Sequence, residues 1–516
     1  MKLSKHAFKA LWDVHAWLGV TAGLFLYIIC FTGIFLAYRD ELDVWQDPAL
    51  RVPAGQMRPL SEIVDPVLRS GRLDPRAIEI YLPTEQRHTV DVRYREPGGV
   101  GRHMLHIDPR TGEALPDRSR LAALLFYLHF FYHERWFSQG ILLAGLLGAA
   151  MFLGLLTGFV LHYRNIASQL HRFRPRDRSM VGWADAHKIL AVFGLPFQTM
   201  AAFTGTMICL GPLLLRLFVA PVFHGDMKSA EKSLYGTFTG PTAAGERAPS
   251  LEVDTLVARA LETVPGLALT QLRIHHYGDA AGTLTVYGKL AEAPFSTASV
   301  RVRLRDGVVS HAETPSTLQP GHTVERWVRS LHFADFGGSA VKICYALSAL
   351  AACLTILTGN WIWLFRRESA GASLGNRVLA RLTVGTGAGL CLATGALFVV
   401  NRCIPMDASG RMTVESAVFF GMWAFTFAWS SVRRCARRSW TELLALSGLL
   451  FVLAPLLDTF TTNVHRLEVR AQGRWDMAGI NLALLLFGGA LLGAAWRIHA
   501  ARGRAPEGDR GVLHHA

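Results

Sequence analysis

The chain is poor in charge and poor in cysteine. Of its 516 residues 18% are Asp, Glu, Lys or Arg and 51% are hydrophobic. That balance is too apolar for a soluble chain of this length and suits one that partitions into a bilayer. Its seven cysteines form no framework, since Cys30, Cys209, Cys344, Cys353 and Cys391 fall within apolar runs. No Cys-x-x-Cys-His occurs, which excludes covalent c-type haem. No P-loop or nucleophile elbow is present. Gly385-Thr386-Gly387-Ala388-Gly389 superficially resembles a dinucleotide fingerprint, but it lacks the final glycine and lies inside an apolar run. Acidic residues are also in deficit, leaving a net charge of +14. The excess sits in short loops: Lys2, Lys5 and Lys9; Arg164 to Arg178; Arg366 and Arg367; Arg433 to Arg438; Arg497 to Arg504. All of these fall on one side if the N-terminus is cytoplasmic, which is the positive-inside pattern and not a nucleic-acid surface.

Long apolar runs are abundant. Eight are expected to span a membrane: Trp17–Tyr38, Ile141–Tyr163, Ile189–Leu217, Ala340–Phe365, Val378–Val400, Val414–Val432, Trp440–Phe460 and Ala478–Trp496. The first is too long for a cleaved signal peptide, and Arg39-Asp40-Glu41 follows it where a cleavage site would be. Between the spans, two long segments, 39–140 and 218–339, are expected outside the cytoplasm. Each reads as a small α+β domain. The first has a helix near Leu60–Ser70 and strands at Ala77–Leu82, Thr89–Arg95 and His103–Ile107. The second has a helix near Leu251–Val264 and strands at Gln271–His276, Thr283–Tyr287 and Ser299–Leu304. The fold class is therefore a mainly α-helical membrane protein of about eight spans, with two small α+β domains inserted in a duplicated helix-domain-helix unit. The segments divide as 1–38, 39–140, 141–163, a basic loop 164–188, 189–217, 218–339, 340–365 and a C-terminal four-helix module 366–516. Both copies enter the membrane from the same side, a parallel repeat.

Histidines mark the repeat. His15 precedes Thr32-Gly33 by 17 residues, and His187 precedes Thr204-Gly205 by the same 17. Leu128-His129-Phe130 precedes Thr157-Gly158 as Leu331-His332-Phe333 precedes Thr358-Gly359. Paired histidines at one membrane level suit the two axial positions of haem iron, and a filled pair suits electron transfer more than oxygen activation. His15, His162 and His187 are expected at the inner boundary, and His129, His133 and His332 at the outer one. In the repeat His162 aligns with Trp363 and His133 with Phe336, neither of which can ligate. That leaves His15 with His187 and His129 with His332 as iron ligands of two non-covalent b-type haems. His162 and His133 are the alternatives if helix rotation turns either inward. Gly19 and Gly23 share a helical face with His15, and Gly154 and Gly158 share one with His162, leaving room for a flat macrocycle. The same spacing also serves plain helix packing. Asp13 and Asp185, two residues before His15 and His187, could orient the imidazoles or cap helices.

These residues resemble the PepSY-associated transmembrane helix family. The matching motifs are His15-Ala16-Trp17-Leu18-Gly19, Thr157-Gly158-Phe159-Val160-Leu161-His162 with Phe173-Arg174-Pro175, Trp183-Ala184-Asp185-Ala186-His187 with Leu195-Pro196-Phe197, and Leu331-His332-Phe333 with Phe336-Gly337-Gly338. The resemblance covers about residues 1–368 and leaves out the last 150. It makes His162 a family histidine and the two α+β segments PepSY-like domains. It implies a bacterial inner-membrane protein of siderophore-mediated iron uptake, some members of which reduce ferric siderophores in the periplasm. The expected partners are then a ferric siderophore, a quinol or cytosolic reductase as electron donor, and the lipid bilayer. A PepSY-type binding or inhibitory module without redox activity, and an iron or siderophore transporter, are the competing expectations.

Overall fold

The computed structural model describes residues 4–99, 101–131, 137–166, 180–235, 240–291, 296–368, 373–433, 435–461 and 475–500. It divides into two units, the first made of Met1–Leu42, Arg118–Leu210 and Ser339–Ala516, the second of Asp43–Asp117 and Gly211–Gly338.

The first unit is helical because its apolar runs leave the backbone no other partner in a bilayer. It holds α1 (Lys5–Leu36), which continues past Ala37 into α2 (Arg39–Gln46). After α3 (Leu60–Arg69) of the second unit come α4 (Leu121–His129), α5 (Phe137–His162) and the start of the long α6 (Met180–Phe223). Then α7 (Met227–Tyr235), α8 (Val253–Thr263) and α9 (Pro320–Phe333) belong to the second unit, and α10 (Gly338–Glu368) returns to the first. The C-terminal helices are α11 (Leu374–Cys403), α12 (Arg411–Val432), α13 (Ala436–Thr461) and α14 (Trp475–Ala500). Among the described residues seven helices are long and apolar enough to cross a membrane: α1, α5, α6, α10, α11, α13 and α14. The eighth expected run, Val414–Val432, is helical as α12. Glu415, Trp423, Trp429, Ser430 and Ser431 dilute its apolar content. The protein is thus a multi-pass membrane protein.

The most enclosed of these helices is α11. Its Gly385-to-Gly389 stretch packs against neighbours rather than against a phosphate. A Cβ on Gly387 would lie 2.6 Å from the Trp440 ring, and one on Gly385 would overlap Phe427. Small residues let helix backbones approach where lipid gives no hydrophobic drive.

The second unit corrects the expectation of two separate domains. Its strands are β1 (Ile78–Tyr81), β2 (Val90–Tyr94), β3 (His103–Ile107), β4 (Ala114–Leu115), β5 (Ala268–His275), β6 (Thr283–Lys289), β7 (Thr297–Arg303) and β8 (Val309–Glu313). They form one antiparallel sheet in the order β4-β3-β2-β1-β5-β6-β7-β8. The seam pairs β1 with β5, Ile78 opposite Ile274 and Ile80 opposite Leu272. Alternation explains the fit: Ile78, Ile80, Val90, Val92, Leu272, Ile274, Leu284, Val286, Val300 and Val302 share one face and form a core with Ile63 and Val64 of α3 and Leu256 and Val257 of α8. Joining the halves doubles the apolar face that each four-stranded half could bury alone. The opposite face is polar. There Glu79 accepts hydrogen bonds from Tyr81 (2.7 Å), Arg273 (2.9 Å) and Arg93, so one carboxylate ties β1 to strands on both sides. Burial alone would raise the Glu79 carboxyl, but the two guanidiniums outweigh it and hold it below the usual range.

Two groups on that polar face make the unit acid-sensitive. Burial would raise Glu313, but hydrogen bonds from His322 and His311 and the charge of Arg326 hold it down at about 2. Burial pushes His275 down to about 4, with Arg273 and Arg301 adding repulsion. Both values lie below those of the unfolded chain, about 4.3 for Glu and about 6.5 for His. Each group therefore contributes stability that is complete above its unfolded value and is lost as pH falls through its folded one. The thermal unfolding midpoint of the full chain, followed by the β-sheet circular dichroism signal, is expected to fall in two stages. His275 acts between about pH 6.5 and 4, and Glu313 between about pH 4.3 and 2. Glu313→Gln should flatten the lower stage. A midpoint constant from pH 7 to pH 3 would contradict this account.

Candidate functional site

Helices α1, α5, α6 and α10 of the first unit surround a cavity of about 390 Å³. His15, Gly19 and Gly23 reach it from α1, Gly154, Gly158 and His162 from α5, His187 from α6, and Gly359 and Trp363 from α10. Its wall is mostly apolar and its volume lies in the range of small-molecule sites.

The histidines are seated in a common way. The His15 Nδ1–H donates to the Gly154 carbonyl at 3.0 Å, with the Thr157 hydroxyl oxygen at 3.2 Å. The His187 Nδ1–H donates to the Thr355 carbonyl at 2.9 Å, with Thr358 Oγ1 at 3.3 Å. Outside the cavity, the His129 Nδ1–H donates to the Ile29 carbonyl at 2.9 Å, with Thr32 Oγ1 at 3.3 Å. In each case the threonine spends its own proton on the carbonyl four residues back: Leu153, Leu354 and Ile28. In each case the next residue is a glycine whose missing side chain the imidazole fills. A Cβ would lie 3.1 Å from His15 Cε1 at Gly158, 3.3 Å from His187 Cε1 at Gly359 and 3.3 Å from His129 Cε1 at Gly33. A carbonyl can only accept, so Nδ1 carries the proton and Nε2 the lone pair. That is the tautomer in which a histidine ligates through Nε2 while Nδ1 is held by a backbone acceptor.

His15 and His187 lie with ring centroids 6.2 Å apart and planes at 83°. Two imidazoles on opposite sides of one iron need about 6.3 Å, from metal–nitrogen bonds of about 2.0–2.1 Å and about 1.1 Å from nitrogen to ring centre. The separation of the two rings is compatible with both imidazoles holding one haem iron. Among the described residues no three His, Cys, Asp or Glu are gathered for a bare metal ion; two donors suit a group that brings its own equatorial nitrogens. The cavity also takes in Arg366, whose guanidinium lies 4.6 Å from the Trp12 ring centroid, and Arg367, 3.3 Å from that of Trp363. These cations suit the carboxylates of a haem edge.

Several expectations need correcting. The spacing of 17 from His15 to Thr32 and from His187 to Thr204 marks the repeat in the sequence, and the threonine that closes each interval is not the one its histidine meets. The imidazoles instead use threonine-glycine pairs on neighbouring helices, and Thr32-Gly33 receives His129. Gly158 makes room for the His15 ring and also lines the cavity. Gly23 packs against Ile356 of α10, where a Cβ would be at 3.3 Å, and both Gly19 and Gly23 line the cavity. Asp13 and Asp185 neither cap helices nor orient the imidazoles. Both lie inside α1 and α6, Asp185 pairs with Lys188 at 3.1 Å, and both Nδ1 atoms go to carbonyls. His162 ends α5 and lines the same cavity as His15 and His187. His133 lies outside the described residues. His332 lies on α9 of the second unit, its ring centroid 5.5 Å from that of Phe333; His129 belongs to the first. The backbone acceptors Gly154, Thr355 and Ile29 carry no side-chain signal, so residue type could not reveal them.

A multi-pass helical bundle with a histidine-lined cavity and an antiparallel sheet defines the class. The PepSY-associated TM region family matches residues 12–366, and the chain belongs to that family. It is also similar to the uncharacterized protein PA4219 of Pseudomonas aeruginosa, with 30% identity over 395 residues that cover 73% of this chain and 95% of the relative.

Proposed function

We propose that the protein is a di-haem b-type electron-transfer protein of the bacterial inner membrane that reduces ferric siderophores in the periplasm. The observation that carries this reading is the His15–His187 pair, 6.2 Å apart, each ring locked by a backbone carbonyl in the ligating tautomer. A haem held there would supply reversible one-electron transfer. His15 and His187 would hold it, Gly158 and Gly359 keep the two rings seated, and Arg366 and Arg367 would offset its carboxylates. The second haem is proposed on His129 and His332 from the sequence repeat. His162 is the alternative inner ligand, since it lines the same cavity.

The helix-domain-helix unit is read as duplicated. The mirrored strand order and the like seating of His15 on Thr157-Gly158 and His187 on Thr358-Gly359 support this. With α12 as an eighth span, both termini are cytoplasmic and the sheet is periplasmic. The substrate would be Fe(III) in a siderophore. One electron gives Fe(II), which binds hard oxygen ligands less tightly and is released. The electron would come from a quinol or a cytosolic reductase.

The visible spectrum of the purified full chain tests this. A low-spin b-type spectrum with two haems per chain is expected. His15→Ala and His187→Ala should each lose the same haem, and His129→Ala the other. A protein that carries no haem after expression with haem supplied, or one indifferent to all three substitutions, would sink the reading.

A further inference from the structure

We infer that the C-terminal helices serve as a brace for His129, with Glu415 of α12 as the positioning residue. The inference rests on the proposed role of His129 and gives a purpose to helices beyond residue 366, where the family match ends.

Glu415 is fully buried, an expensive place for a carboxylate unless it is paired. Its oxygens accept hydrogen bonds from the Ser119 hydroxyl (3.1 Å), the Arg120 backbone N–H (2.8 Å) and Asn401 Nδ2 (2.8 Å), and Arg411 Nε lies 3.2 Å away. Ser119 and Arg120 directly precede α4, and Ser119 Oγ in turn accepts from the Leu121 N–H at 3.3 Å. Helix starts leave N–H groups without partners, and an anion there is favoured. Here the anion comes not from the neighbouring chain but from a helix 295 positions away.

The other end of α4 is His129. The helix spans nine residues, about 13 Å at 1.5 Å per residue. Leu121, Ala122, Leu124 and Leu125 are buried along it, so it moves as one short rod. One end is held by Glu415; the other presents His129 to the Ile29 carbonyl and Thr32-Gly33 on α1. Arg411 extends the anchor, donating to the carbonyls of Asn401 and Ile404 at the end of α11. Releasing Glu415 frees the start of the rod, and the imidazole at its end loses its fixed approach to α1.

The test uses the full chain in detergent with Glu415→Ala, Glu415→Gln and the milder Ser119→Ala. Two readouts are taken: amide hydrogen exchange across 119–131 against 137–162, and a redox titration of the bound haems. Glu415→Ala is expected to speed exchange in α4 about tenfold or more, since bonds to a buried charge are lost. It should shift the potential and low-spin line shape of the haem that His129→Ala removes and leave the other unchanged. Glu415→Gln, whose amide oxygen still accepts from the Arg120 N–H, should recover most of both. Unchanged α4 exchange in Glu415→Ala would overturn the brace. So would equal change at both haems and in both segments, in the Ala variant and in Ser119→Ala, because that is general loosening. If the wild-type chain holds no haem, the redox reading fails, and the exchange comparison alone decides the brace.

Discussion

Gly158→Val is expected to abolish the inner haem as completely as His15→Ala. A Cβ at this position would already stand 3.1 Å from His15 Cε1 and 3.5 Å from Nδ1, and valine adds two methyl groups beyond it. The imidazole cannot hold its place, because its 3.0 Å bond to the Gly154 carbonyl lies on the same face of α5 one turn away. Once displaced, the ring loses both position and tautomer. Gly359→Val should do the same to His187, whose Cε1 lies 3.3 Å from a Cβ there. Gly489→Ala on α14, outside the cavity lining, is the contrast: nothing lies within 4 Å of its Cβ position, so both haems should remain. Haem quantification by absorbance decides. A Gly158→Val protein that keeps two haems would mean that His15 is not a ligand.

The second large effect lies in the sheet. Glu79→Ala is expected to destabilise the protein by about 3 kcal/mol, the lower end of what stripping one partner from a buried ion pair costs. The Arg273 and Glu79 side chains are 11% and 17% exposed, so removal of the carboxylate leaves charge stranded on the sheet face. Chemical denaturation of the full chain, followed by circular dichroism, measures it. The control is the triple variant Glu79→Leu, Arg93→Leu, Arg273→Met. It removes all three charges together, and most of the loss should return, since the pair's worth against an apolar replacement is small. A Glu79→Ala protein as stable as wild type would show that the seam does not depend on this carboxylate.

Much of the architecture was legible in the sequence. The apolar runs that became α1, α5, α6, α10, α11, α13 and α14 could be read from length and composition, and six of the eight strands from alternation. Strand β4, with two residues, carries too little pattern to be seen, and β8 (Val-Ser-His-Ala-Glu) has a mostly polar reading. The joining of the halves was hidden for a different reason. Alternation tells which face of β1 is apolar, but not that its free edge will meet β5 rather than solvent. The histidine spacing shows the same limit. The 17-residue interval from His15 to Thr32 was a true regularity of the helices. Yet only side-by-side packing decides that His15 reaches across to Thr157 while Thr32 is left for His129. Chain distance records what a helix carries, not which neighbour it faces.

The β1–β5 seam also sets an order of events in biosynthesis. Ile78 and Ile274, which face each other in it, are 196 positions apart. At translation speeds of about 5–20 residues per second, the first half of the sheet waits about 10–40 s before its partner strand exists. During that interval β1 presents an open edge, the kind that pairs promiscuously with other chains. Cells that make this protein quickly should therefore find their losses concentrated in the half-finished chain, before α6 and the second strand group have emerged, rather than in the finished protein.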